Sequence, residues 1–424
     1  MNCSGLQILR FGSCRSFSTA TALISVADVR TLLQSHVAAL SKVSRPDPSA
    51  LENLAPRSPS DSHTKAILPL ASNAHLRDKY RNFLGHVRFG LLLEDLDSFA
   101  GWLSYRHNQT GALMGREPIH HPMALVTACV DRIALFPRRI SADHDIVFDG
   151  EVSWTGRSSL EATIRLLQEA APETKRGPAD EGNLLLEAKF VMVAIDPATQ
   201  KPVPIHPLKP ETPEEKEMYR LGEEAKDQRL HQKQQSLLKM PPTPAETAWL
   251  HDLFVQTLDP KIHSFRHRIL PASHVWIEDC KLKNVIICFP QQRNLYNKIF
   301  GGFLMRSAFE LAWANAASFS SSHPIALAVD DIMFRKPVDI GKLLYLSSEI
   351  CYTHGNQMQV RVHAEVGNIE GGDLDTTNTF YFTFLSGDGK PVRKVMPKSY
   401  GDGILHIAGK RHFDEMMRVA SMKQ

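Results

Sequence analysis

Residues 89–105 read Phe89-Gly-Leu-Leu-Leu-Glu-Asp-Leu-Asp-Ser-Phe-Ala-Gly-Trp-Leu-Ser-Tyr105, and residues 301–317 read Gly301-Gly-Phe-Leu-Met-Arg-Ser-Ala-Phe-Glu-Leu-Ala-Trp-Ala-Asn-Ala-Ala317. In the first, apolar side chains fall at 92, 93, 96, 99, 100 and 103, the spacing of one helix face. Both helices open on glycine. Strand-like runs follow each: 123–135, 145–155, 159–168 and 184–195 in the leading half, and 325–334, 343–353, 357–366 and 376–386 in the trailing half. A helix this apolar must lie against a sheet. The fold class that follows is α+β: a curved antiparallel sheet around a long central helix, occurring twice. Two such copies on one chain can pair with quasi-twofold symmetry.

Other positions match between the halves. Gly90 pairs with Gly302, Val130-Asp131 with Val329-Asp330, the Trp154 strand with the Tyr352 strand, and Phe190 with Phe380. The offset drifts because the leading half has longer loops at 106–122 and 170–183. Between the halves, Thr212-Pro-Glu-Glu215 and Thr243-Pro-Ala-Glu246 are capping boxes with proline at the first helical position. They predict a highly charged helix from 213 to about 236 and a second from 244 to about 257, both within a linker. Residues 44–64 are rich in Pro and Ser and read as a loosely packed lead-in, with order beginning near Leu76. The division is therefore 1–20, a leader; 21–74, a partly disordered lead-in; 75–208 and 263–403, the two repeated units; 209–262, the helical linker; and 404–424, a tail.

Composition excludes several classes. The 424 residues are 43% hydrophobic and 22% charged, as in a soluble protein with a real core. A net charge of +3 with no dense Lys/Arg block gives no case for a nucleic-acid partner. The longest apolar run, Met123 to Phe136, is broken by Asp131 and Arg132, so no membrane span is expected. The six cysteines are scattered, form no C-x-x-C pair and have no zinc-ligand spacing with histidine. They read as free thiols in a reducing compartment. No phosphate-cradling glycine loop and no G-x-S-x-G elbow occur. Nothing calls for a cofactor or a metal. His120-His121 reads as polar loop. Residues 1–27 lack Asp and Glu but hold Arg10, Arg15 and several serines, the pattern of a mitochondrial transit peptide.

Asp97 stands out on physical grounds. It lies four residues after Leu93 and three before Ala100, on the apolar helix face. A carboxylate there is costly unless it is used or paired. Burial would raise its pKa and make it a better base. A buried acid satisfied by backbone N–H groups is the plainer alternative. Glu94 and Asp95 read as flank residues near the helix start, favoured by its dipole. Glu310 reads as the helical partner of Arg306. Asp131 and Asp330 sit at equivalent strand positions, which suggests a structural role, with a place near the pocket as the alternative.

The segment Asn297-Lys-Ile-Phe-Gly-Gly302-Phe-Leu-Met resembles the N-x-x-x-G-G loop-to-helix signature of hotdog acyl-coenzyme A thioesterases. The stretches Val87–Gly90, Leu93–Asp97 and Phe300–Arg306 resemble the mitochondrial branch of that family, and the likeness covers roughly residues 75–415. The resemblance implies a double hotdog fold, hydrolysis of acyl-coenzyme A in the mitochondrial matrix, and a homo-oligomer: a ring of three double-hotdog chains, or a dimer. It also implies site residues. The family acid lies seven positions after the helix glycine, which is Asp97 in the leading half and Phe309 in the trailing half. The family Asn lies five before that glycine, which is Gly85 in the leading half and Asn297 in the trailing half. Family sites form across the pair. The resemblance therefore implies one composite catalytic site, Asp97 with Asn297 and the Gly302 N–H, and one incomplete mirror site. Gly301, Phe303, Arg335 and Lys336 are the substrate-binding candidates, the last two for coenzyme A phosphates. Two other functions fit the same fold: an enoyl-thioester hydratase, which would want a histidine beside the acid, and a catalytically silent acyl-coenzyme A sensor or scaffold.

Overall fold

The computed structural model describes residues 24–40, 54–113, 123–131, 133–135, 139–168, 184–259, 261–262, 267–294, 296–330 and 332–422. The leader and the His120-His121 loop fall outside these.

Two helices occupy the centre: Phe89–Leu113, here the leading helix, and Gly301–Ser320, the trailing helix. From Phe89 to Gln109, and throughout the trailing helix, no β-branched residue occurs, so every side chain keeps its helical rotamers. Leu92, Leu93, Leu96, Phe99, Ala100 and Leu103 are fully buried, as their spacing predicts. The trailing helix buries Leu304, Met305, Ala308, Phe309, Ala312 and Ala316.

Thirteen of the described strands form one continuous sheet wrapped over both helices, and His274–Trp276 and Lys394–Met396 form a separate parallel pair. In the leading half the order is Thr64–Leu68, Ile146–Thr155, Ser159–Gln168, Leu184–Ile195, with Ala124–Val130 and Ile133–Leu135 both on the last. The trailing half repeats it as Lys281–Ile287, Leu343–His354, Gln357–Gly367, Asp375–Leu385 and Ile325–Val329. The pairings within these two runs are all antiparallel. The join is reciprocal. Ile133–Leu135 pairs with Ile325–Val329, and Ile332–Met333 pairs back with Ala124–Val130. Bulges recur at equivalent places: Thr127/Cys129 and Ala326/Ala328, then Val152/Trp154 and Ile350/Tyr352. A bulge bends its strand, and matched bulges give both halves the same curvature.

Two segments differ from expectation. The lead-in is not loose throughout: Val26–Leu40 is a helix, and Thr64–Leu68 is the edge strand of the leading sheet. Alternation hides in its Pro/Ser-rich surroundings, yet Ala66 and Leu68 are buried while Lys65 and Ile67 are half-buried. The tail is likewise helical, from Tyr400 to Met422. The linker helices form where their capping boxes place them, at Pro213–Gln234 and Pro244–Val255.

The charged linker helix packs onto the molecule. It covers the outside of the leading sheet, with Trp154 Nε1 donating to Glu223 at 2.6 Å and Arg229 paired to Asp131 at 2.6 Å. The tail helix covers the trailing sheet in the same way. Its His406 Nδ1 donates to the Cys351 carbonyl at 2.6 Å, and His412 Nδ1 lies 3.7 Å from Asp330. Asp131 and Asp330 therefore anchor equivalent outer helices. Gly222 meets Trp154 so closely that a Cβ would stand 2.5 Å from the Trp154 Cβ. Gly222→Ala should lift the linker helix and cost about 1–3 kcal/mol. Thermal unfolding checks this, and an unchanged Tm would mean that the helix rides further from the sheet.

Candidate active site

The leading and trailing helices pack side by side at their glycines. A Cβ on Gly302 would stand 2.8 Å from the Glu94 Cα, so only glycine lets the two backbones approach this closely. The approach brings Asp97 of one helix to the start of the other. The Gly302 N–H donates to Asp97 Oδ2 at 2.7 Å, and Thr127 Oγ1 donates to Asp97 Oδ1 at 2.6 Å. Asp97 is 4% exposed. Burial pushes its carboxyl up to about 6, with the Thr127 and Gly302 hydrogen bonds pulling it down against that burial.

Asp97 lies in the wall of a cavity of about 860 Å³ between the halves. Gly301, Phe303, Arg335 and Lys336 line the same cavity. Gly301 sits against the acid: its Cβ position is 3.1 Å from Asp97 Oδ2 and 3.4 Å from the Phe334 ring. Gly301 is the first residue of the trailing helix, whose opening N–H groups have no intrahelical acceptor. Arg335 is exposed at the rim, whereas Lys336 is bonded to Asp375 at 2.5 Å. Tyr105 and Tyr296, one from each half, join hydroxyl to hydroxyl in the wall.

Asn297 is placed otherwise. It is exposed, does not line the cavity, and has φ +56. Its N–H bonds the Asn294 carbonyl at 3.3 Å in a tight turn. Gly85 holds the matching turn of the leading half with φ +82. The two residues are thus equivalent because both tolerate the left-handed region, not because they face substrate. The Gly302 N–H is also placed otherwise: it is committed to Asp97 rather than open to a substrate oxygen.

Two cavity residues carry no expectation from sequence. Thr127 is a hydroxyl in an apolar strand, visible in principle but shifted from any simple offset by the long 106–122 loop. Asn294 lines the cavity, its Oδ1 accepting from the N–H groups of Tyr296 at 2.8 Å and Lys298 at 3.1 Å. Its side-chain N–H groups take no partner among the described residues. The signal for it was present: Asn82 and Asn294 stand at the same distance before Gly90 and Gly302.

Asp95 shows why burial alone does not mark a site. It is 1% exposed and also pushed up to about 6 by burial, yet its oxygens are taken by Arg30 at 2.6 Å and the Tyr80 hydroxyl at 2.5 Å. It does not line the cavity, and it is a closed ion pair rather than a helix-flank charge. Glu310 pairs with Arg306 at 3.1 Å, as expected, and also with Arg88 across the halves at 2.9 Å.

No family model matches the chain. Curated relatives do. It is 46% identical over 374 residues to human acyl-coenzyme A thioesterase 9, mitochondrial, covering 88% of this chain and 82% of the relative. The chain belongs to the acyl-coenzyme A thioesterase family. This thioesterase-family chain is also 44% identical to mouse acyl-coenzyme A thioesterase 10, mitochondrial, over 89% of this chain and 83% of the relative. A hop relative, acyl-coenzyme A thioesterase 4, mitochondrial, is 36% identical over 83% of this chain and 66% of its own. Among solved structures, a Staphylococcus aureus acyl-CoA hydrolase with butyryl coenzyme A is 22% identical, covering 35% of this chain and 95% of its own, with a TM-score of 0.33.

The folded pKa of Asp97 lies above the ordinary 3.8. Its ionised form is therefore disfavoured by folding, a cost fully present above about pH 6 and absent below about pH 4. Asp97→Asn should then stabilise the thioesterase by roughly 1–3 kcal/mol at pH 8, with the gain shrinking as pH falls toward 5. Urea unfolding at the two pH values tests it, and a loss of stability at pH 8 would contradict the assignment of cause.

Proposed function

We propose that the chain hydrolyses fatty acyl-coenzyme A to free acid and coenzyme A at one composite site between its two halves. One observation carries the reading: an acid poised near neutral pH, in a cavity wall, fixed by a hydroxyl and by the N–H of the opposing helix start. Thr127 and Gly302 orient the carboxylate, leaving lone pairs for a water molecule. Asp97 takes a proton from that water as its oxygen attacks the thioester carbonyl carbon. The carbonyl oxygen becomes an anion. The Gly301 N–H and the Asn294 side-chain amide are the donors we assign to it. When the C–S bond breaks, the proton held by Asp97 passes to the departing thiolate. Asn297 is assigned the turn alone.

We propose further that each half is a hotdog domain, the first reaching back to the Thr64–Leu68 strand. The compartment we propose is the mitochondrial matrix, supported by the acid-free leader and by relatives named mitochondrial. A homo-oligomer, either a ring of three chains or a dimer, stays a proposal on family likeness. Arg335 at the rim is suited to the phosphates of coenzyme A. No histidine lines the cavity among the described residues, which favours hydrolysis over hydration of a double bond.

Thiol release over a range of acyl-coenzyme A chain lengths tests the site. Asp97→Asn should lower kcat about 10²–10⁴-fold without unfolding the protein. Asn294→Ala should cost about 10²–10³-fold. Asn297→Gly should change kcat by less than about twofold, since glycine holds the same turn in the other half. Equal losses at 294 and 297 would reverse the assignment. The pH profile should fall on the acid side with a midpoint near the about 6 of Asp97, because the protonated acid cannot accept a proton.

A further inference from the structure

We propose that a second cavity, at the mirror position of the Asp97 site, binds an acyl-coenzyme A thioester without hydrolysing it. The inference rests on the reading of the Asp97 cavity as an acyl-coenzyme A site. The second cavity has a volume of about 460 Å³, within the usual range for small-molecule sites. It is built on the same parts. Asn82 lines it, its Oδ1 accepting from the N–H groups of Leu84 at 2.9 Å and His86 at 3.0 Å, the pattern seen at Asn294. The Asn82 side-chain N–H groups have no partner among the described residues. Gly90, the counterpart of Gly302, lines it as well.

The acid is missing. Its position holds Phe309, 6% exposed and packed edge-on to Phe89 at 5.0 Å and Phe382 at 5.6 Å. Glu310 beside it is held by Arg88 and Arg306. Glu310 is the one carboxylate in this wall among the described residues and it is already paired, so no free carboxylate stands where Asp97 stands in the other cavity, and a thioester seated here stays intact.

Two features of the cavity recognise the thioester. The rim is cationic. Arg139 is exposed and has no carboxylate partner among the described residues, its Nη1 standing 3.4 Å from His86 Nε2. Arg81 lines the same cavity and is paired with the exposed Asp143 at 3.3 Å. Two arginines on one rim, one of them without a carboxylate partner among the described residues, suit phosphates. The interior is apolar, with Leu84, Trp313 and Ile325 in its wall. At the mouth, Phe83 is 73% exposed and meets Trp313 edge-on at 6.0 Å. An open aromatic surface beside a cationic rim complements an acyl chain joined to a phosphorylated carrier.

The test is calorimetric titration of the full chain with a non-cleavable acyl-coenzyme A analogue, in which a methylene separates the carbonyl carbon from sulfur. Two analogues should bind per chain. Arg139→Glu, an exposed change, should weaken one of the two about tenfold or more, and Ala326→Phe, which fills the cavity, should abolish it. In both variants thiol release at low substrate should match wild type. One analogue per chain, unaffected by Ala326→Phe, overturns this inference and leaves the Asp97 site standing. No binding at all overturns both. Two analogues with neither variant altering the titration places the second molecule elsewhere and also overturns it.

Discussion

The hydrogen bond from the Gly302 main chain to the Asp97 carboxylate joins the two halves at their most confined point. It exists only because glycine brings one helix start against the backbone of the other helix at Glu94. The carboxylate is buried by that approach, and burial is what lifts its proton affinity toward neutrality. Any side chain at 302 would separate the helices and return Asp97 to solvent. Packing and chemistry are therefore one constraint here. The reciprocal strand exchange serves the same end, since pairing each half to the other fixes the helices that the sheet surrounds.

The repeat was legible because helix and strand periodicities are local. Leu92, Phe99 and Leu103 announce a buried face without any knowledge of their neighbours. Asp97 was legible for the same reason, as a charge on that face. Asn297 shows where such reading fails. A polar side chain at a family spacing does not reveal its backbone conformation, and the left-handed turn directs it to solvent while Asn294 faces the cavity. Thr127 depends on strand register, and the intervening loop lengths conceal register. The Thr64–Leu68 strand was hidden because its partners lie some eighty residues away, beyond the reach of local pattern.

Duplication within one chain lets the two cavities diverge. In a pair of identical subunits, a change from acid to phenylalanine would strike both sites. Here Phe309 stands in place of the carboxylate on one side only, and its edge-on and tilted neighbours Phe89, Phe382 and Phe384 turn that wall into core. The turns at Asn82 and Asn294 are kept on both sides, so what differs is the carboxylate and not the scaffold.

The cross-half pairing of Ile133–Leu135 with Ile325–Val329 also orders events in time. During synthesis the acid emerges from the ribosome long before the helix start it must face. Until the trailing half has emerged and closed its strands onto the leading half, the chain can hold Asp97 but cannot orient it. On the composite-site reading proposed above, a nascent or truncated chain would be silent, and hydrolysis would begin only once both halves are joined.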